Sequence, residues 1–178
     1  MAHQEWQTKF DDQFSDLDHL WNLEIVSNVE QGSGWLKMQC KGMARFDCST
    51  CNNRWTSVNG GAIFRYRLSR SQNERRGNVK LFLGGQKCKK CDDVFETAKW
   101  ADSDVERVIT ELLSKVQQKF YGRIDVPTTS ATENRYIPAD MSAPHQKSLC
   151  QFCTLGVCQY SQQNDIDSIA SDLEHFRF

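Results

Sequence analysis

The stretches Cys48-Ser49-Thr50-Cys51 and Cys88-Lys89-Lys90-Cys91 decide how this chain is read. In each, two residues separate a pair of cysteines. A tight turn at that spacing brings both sulfurs to one tetrahedral ion, with Zn–S bonds of about 2.3 Å. Two such pairs complete a four-sulfur site. Residues 52–87, between them, are long enough to form a hairpin that returns the chain to the metal. The flanking Asp47 and Lys87 are polar, as an exposed knuckle requires.

A third pair, Cys150 and Cys153, has no fourth to match it. The set His145-x4-Cys150-x2-Cys153-x4-Cys158 supplies one nitrogen and three sulfurs, an established structural zinc coordination. It lies wholly within residues 145–158, so it could close around an ion without help from the remaining chain. Cys40 or a water could stand in for His145. Cys40 otherwise reads as a buried free thiol, having no local partner. Two structural zinc ions are therefore expected, one on Cys48, Cys51, Cys88 and Cys91, the other on His145, Cys150, Cys153 and Cys158.

Competing uses of these cysteines fit less well. Redox catalysis wants a thiolate at a helix N-terminus after a strand, with an aromatic and a proline nearby; none of the three pairs has that setting. A zinc deaminase needs a His-x-Glu element at the same ion. His3-Gln4-Glu5 is the one such triplet, far from the first knuckle. A closed four-sulfur site also leaves no coordination position for water. A non-enzymatic protein is expected.

The N-terminus reads as acidic and polar, unlike a signal peptide. No Asn-x-Ser/Thr acceptor occurs, and no apolar run nears the roughly 18 residues of a membrane span. The expectation is a reducing cytoplasmic setting, where thiolate–metal sites outnumber disulfides.

Outward from the knuckles, the helical spacing of Trp6, Phe10, Phe14, Leu17 and Trp21 predicts an amphipathic helix over about residues 4–20. Residues 23–46 read as strands broken by a turn at Gly32-Ser33-Gly34. Ala62, Phe64, Tyr66 and Leu68 share one face of a strand. Val79, Leu81 and Leu83 share one face of its return partner, with a long polar loop at Ser69–Gly77 between them. A second helix is predicted over Ser103–Tyr121, with a capping box at Ser103 and Glu106 and a closing Gly122. The fold class is α+β: a twisted antiparallel sheet with flanking helices, stabilised by the two zinc sites. Residues 1–122 would form the core domain, 123–144 a linker holding all three prolines, 145–158 the C-terminal knuckle and 159–178 an acidic tail.

Charge is unevenly spread. Between Arg65 and Lys90 nine basic residues face the single acid Glu74, whereas the first thirty residues carry seven acids against Lys9. The basic stretch is interleaved with Trp55, Phe64, Tyr66 and Phe82, a composition suited to phosphates and unpaired bases. Arg65, Arg67, Lys80, Lys87, Lys89 and Lys90 are the candidate RNA contacts. The alternative is that Arg65 and Arg67 form the solvated side of an alternating strand.

The elements Phe46-x-Cys48-x2-Cys51-x3-Trp55, Gly85-Gln86-x-Cys88-x2-Cys91, Phe95-Glu96, Tyr121-Gly122 and Cys150-x2-Cys153-Thr154-Leu155-Gly156-x-Cys158 resemble the receptor-transporting proteins, the group with a three-CxxC zinc-binding domain. The resemblance covers about residues 5–158 and leans toward the interferon-induced type. It implies two activities: escort of G-protein-coupled receptors to the cell surface, and antiviral binding of RNA. A purely receptor-escorting adaptor without nucleic-acid binding is the alternative. It also implies a C-terminal membrane anchor. No such segment precedes Phe178, so membrane association is expected only where an anchor is present, at the cytosolic face.

Overall fold

The computed structural model describes residues 3–29, 32–70, 75–91, 94–123 and 145–159. Helix α1 (Gln4–Phe14) leads into four strands, β1 (Leu20–Val26), β2 (Leu36–Asp47), β3 (Arg54–Arg70) and β4 (Arg75–Leu83). Three short strands follow, β5 (Gln86–Lys87), β6 (Phe95–Glu96) and β7 (Lys99–Trp100). Helix α2 (Asp102–Tyr121) comes next. A 3-10 turn (Lys147–Leu149) then enters the single-turn helix α3 (Gln151–Thr154). The linker beyond Arg123 and the tail beyond Gln159 lie outside the described residues.

Five strands form one sheet in the order β1-β4-β3-β2-β7, while β5 and β6 pair separately. The expected α+β class holds. The expected antiparallel pairing holds for β2–β3, β3–β4 and β2–β7, but β1 runs parallel to β4, with Leu20 opposite Arg76 and Val26 opposite Phe82. The cause lies at the N-terminus. The first helix stops at Phe14 instead of near residue 20, which frees Trp21 and Leu23 to bury themselves from an edge strand. The β3–β4 hairpin is also longer than expected. Its ladder continues through Leu68 opposite Gly77 to Arg70 opposite Arg75, so most of the presumed polar loop is strand.

Alternating residues of β2, β3 and β4 (Met38 and Phe46, Phe64 and Tyr66, Val79 and Leu81) pack against both long helices. Trp6, Phe10 and Phe14 of α1 are buried there, Trp6 edge-on to Trp100 at 5.3 Å. Each such side chain contributes about 1.5–3 kcal/mol on burial, so the α1 stripe is core and not an outward docking face.

The capping box at Ser103 and Glu106 is not formed. The N-cap is Ala101, with no side-chain cap. Asp104, 2% exposed, instead accepts a hydrogen bond from the Met43 backbone N–H at 2.9 Å and two from Arg107. Arg107 also donates to the Lys41 carbonyl at 2.7 Å. The first turn of α2 is thus bolted to β2 where its register shifts between Gly42 and Ala44. Gly122 closes the helix as expected, at φ 65°.

The other face of the sheet carries Ile63, Arg65 and Arg67 from β3 and Lys80 and Phe82 from β4. Here the C-terminal knuckle docks, with Phe152 stacked on Phe82 at 5.7 Å.

Candidate metal centres and the surface between them

The first knuckle turns where β2 ends. Cys48 donates its backbone N–H to Asn53 O at 2.8 Å, and Asn52 adopts φ 55° to reverse the chain into β3. The second knuckle leaves β5, with Cys91 N–H bonded to Cys88 O at 3.2 Å. The hairpin therefore returns Cys88 and Cys91 to Cys48 and Cys51, and the four sulfurs lie within 4.8 Å of one another. Cys48 and Cys91 sulfurs are 4.0 Å apart, and those of Cys51 and Cys88 are 3.8 Å apart. A tetrahedron with ~2.3 Å bonds has S···S edges of about 3.8 Å, so the cage matches zinc.

His145, Cys150, Cys153 and Cys158 form the second cluster, again within 4.8 Å. His145 Nε2 lies 3.1 Å from Cys153 Sγ and 3.5 Å from Cys158 Sγ. An N···S edge around zinc is about 3.5 Å. The two clusters fit two zinc sites.

Cys40 joins neither cluster. Its side chain packs with the core on the helix face of the sheet, opposite the second cluster, and its thiol donates to Ala62 O at 3.8 Å. Burial pushes that thiol well above its usual range, so Cys40 stays protonated and does not replace His145.

The thiols of the first cluster hold their protons unequally. Cys88 is held down to about 7, because N–H groups of Lys90 and Cys91 and the thiols of Cys48 and Cys51 outweigh the opposing effect of burial. Cys91 is pushed up to about 12 by its hydrogen bond with Cys51 and by burial. Burial, helped by the charge of Lys147, lowers His145, which favours the neutral imidazole a metal needs.

Several supporting residues escaped the spacing argument. Glu96, buried on β6, accepts from Ser49 N–H at 2.6 Å and Ser49 Oγ at 2.8 Å, clamping the first knuckle. Trp55 stacks on Phe46 at 5.3 Å and donates through Nε1 to Gln86 Oε1, and Gln86 donates on to Ser57 Oγ. The second knuckle does not stand alone. Gly85 and Gln151 exchange two hydrogen bonds, Gly85 N–H to Gln151 Oε1 at 2.7 Å and Gln151 N–H to Gly85 O at 3.1 Å. Phe152 fills space that only glycines leave: a Cβ on Gly61 would meet its ring at 2.5 Å, and one on Gly84 at 2.3 Å. The facing pairs Gly60-Gly61 and Gly84-Gly85 were the sequence signal for that close approach.

The six candidate RNA contacts separate into two groups. Lys87, Lys89 and Lys90 line a groove of about 600 Å³ between the two metal clusters, shared with Trp55, Gln86 and His145. Arg65, Arg67 and Lys80 lie toward the far end of the outer sheet face, around Trp35, with docked Phe152 between the groups. No helix among the described residues is long and apolar enough to cross a membrane.

Two knuckles returned by a hairpin to one four-sulfur cage, with a cage of one histidine and three cysteines docked on the same sheet, define a zinc-ribbon protein. A three-CxxC zinc-ribbon family model, described as a zinc-binding domain, matches residues 41–156, and the chain belongs to that family. Among curated proteins it is similar to receptor-transporting protein 4 of Mus musculus, 29% identical over 76% of this chain and 55% of that one. It is 25% identical to receptor-transporting protein 4 of Homo sapiens, over 78% and 56% respectively. Receptor-transporting protein 2 of Mus musculus is 24% identical over 79% and 62%. The chain thus spans little more than half the length of the first two. No solved structure matches.

Proposed function

We propose that the chain is a non-catalytic binding module whose two zinc ions, held by the eight clustered ligands, rigidify an RNA-binding groove. The observation that carries this reading is the convergence of Lys87, Lys89 and Lys90 with Trp55 and the side-chain amides of Asn53, Asn59 and Gln86 on one groove of about 600 Å³. Lysines neutralise phosphates, an aromatic face takes an unpaired base, and amides read its edge. Arg65, Arg67 and Lys80 add a second basic area for a longer strand. The test is the triple variant Lys87→Glu, Lys89→Glu, Lys90→Glu, assayed for binding of single-stranded RNA across a salt series. Loss of three phosphate contacts should lower the log–log salt slope by about 2, with zinc content unchanged. Undiminished binding would remove the groove from the account.

A second reading is supported by what the relatives are called. Receptor-transporting proteins suggest membrane receptors, G-protein-coupled ones by family resemblance, as partners. On that reading the module works in the cytoplasm near a membrane. Surface levels of a co-expressed receptor, with and without this chain, are expected to rise. No rise would leave RNA as the ligand.

A further inference from the structure

The two cages differ in how far they expose their sulfurs. In the first, Cys48 and Cys88 are buried, Cys91 is half-buried and Cys51 is exposed. In the second no ligand is exposed: Cys150 and Cys158 are buried, His145 and Cys153 half-buried. Cys51 sits in the turn that carries β2 into β3, next to Asn52 with its φ of 55°. Its thiol is therefore the metal-ligating sulfur that a dissolved small molecule meets most freely, and exposure governs which thiolates react.

Hydrogen bonding sharpens the contrast. Cys48 Sγ accepts the Cys51 backbone N–H at 3.5 Å, and Cys88 Sγ accepts an N–H of the Asn53 side-chain amide at 3.6 Å. Each such bond stabilises charge on the sulfur and makes it a weaker nucleophile. Cys51 Sγ receives no N–H among the described residues and faces Cys88 Sγ at 3.8 Å. Charge acts in the same direction. Four thiolates around a dication carry one more negative charge than the three thiolates and imidazole of the second cage, so the first gives up electrons more readily.

We propose that Cys51 is a site of oxidative modification: hydrogen peroxide oxidises it ahead of the other cysteines, and Cys88 resolves the product as a disulfide between the two knuckles. The Cys51 thiolate attacks one peroxide oxygen. An S–O bond forms, the O–O bond breaks and hydroxide leaves, giving a sulfenic acid. The Cys88 thiolate then attacks the Cys51 sulfur; an S–S bond forms, the S–O bond breaks and a second hydroxide leaves. The two sulfurs are oxidised, the peroxide oxygens are reduced, and both hydroxides take protons from solvent to become water. Cys48 and Cys91 remain as two sulfurs that cannot complete a structural site, so the first cage is lost while the second stays whole. Reduction of the disulfide restores the ligands. The modification does not depend on RNA binding.

The test adds hydrogen peroxide to the full-length, zinc-loaded chain, reads released zinc with a metallochromic dye, and maps the cysteines by mass spectrometry after alkylation. One zinc per chain should leave at least about ten times faster than the other, together with a Cys51–Cys88 disulfide. A dithiol with added zinc should then restore both ions. Dimedone present during oxidation should label Cys51 first, as a sulfenic acid. Two variants separate exposure from charge. Cys51→His and Cys91→His each leave three sulfurs and one nitrogen in the first cage, and so remove the same charge. Cys51→His should release its zinc several-fold more slowly than Cys91→His. Equal rates in the two variants, simultaneous loss of both zincs from the wild-type chain, or a first label or disulfide that omits Cys51 would overturn the proposal. Should either histidine variant fail to load two zincs, the order of dimedone labelling in the wild-type chain decides.

Discussion

The contact between Phe152 and the two facing glycines allows a test of how the C-terminal knuckle is held. Phe152 is 5% exposed, stacked on Phe82 and set against Ile63. Phe152→Ala should cost about 3–5 kcal/mol, as for other buried phenylalanines. Gly61→Ala should cost about 1–3 kcal/mol by overpacking, because its new methyl would lie 2.5 Å from the Phe152 ring. If the methyl and the ring compete for one space, the double variant should be no less stable than Phe152→Ala alone. The coupling would then be at least about 1 kcal/mol. Urea unfolding of the zinc-loaded protein measures all three variants, with zinc content checked in each. In a chain of this size each kcal/mol also moves Tm by about 2–4 °C, so Phe152→Ala should lower it by roughly 6–20 °C. Strict additivity, or a loss below 1 kcal/mol for Phe152→Ala, would refute the docked arrangement.

Glu96→Ala removes the acceptor for two Ser49 bonds and should weaken zinc at the four-cysteine site about 10–100-fold in chelator competition, leaving the second site unchanged. His145→Cys should keep two zincs per chain and His145→Ala should lose the second readily, as read by metal analysis after dialysis. Acid should release zinc from both sites, since thiolates and imidazole must be unprotonated to bind. The depressed His145 sharpens the sign for the second. A folded value below the unfolded one gives stability that is present above the ordinary histidine range and lost as pH falls toward the folded value, so chelator resistance there should decline on acidification through that window. Cys40, its thiol pushed up by burial, should resist iodoacetamide in the folded protein at pH 8, and Cys40→Ala should retain both zincs.

What could be read from the sequence was whatever short spacing dictates. Two residues between cysteines imply a knuckle whatever surrounds it, and the apolar period from Val105 to Val116 places α2 within a residue of its start. The alternation through Phe64, Tyr66, Val79 and Leu81 likewise assigned the core face of the hairpin. Direction and docking were not legible. Nothing local in Leu20–Val26 says that it runs parallel to a strand some fifty residues later. The Ser103 box looked sound, yet tertiary contact chose Asp104, because capping the break in β2 gives the Met43 backbone N–H an acceptor. The six candidate RNA residues are neighbours in sequence, but the knuckle carrying Phe152 comes from far along the chain and sits between them.

Structural zinc in small peptides contributes about 10–16 kcal/mol, as much as or more than a domain's whole net stability of about 5–15 kcal/mol. Native mass spectrometry of the full chain, before and after strong chelation, therefore bears most directly on the central claim. Two zincs per chain, with chelation giving the broad, highly charged distribution of an unfolded polypeptide, is the expected result. A single zinc, or a compact metal-free ion that survives chelation, would contradict it.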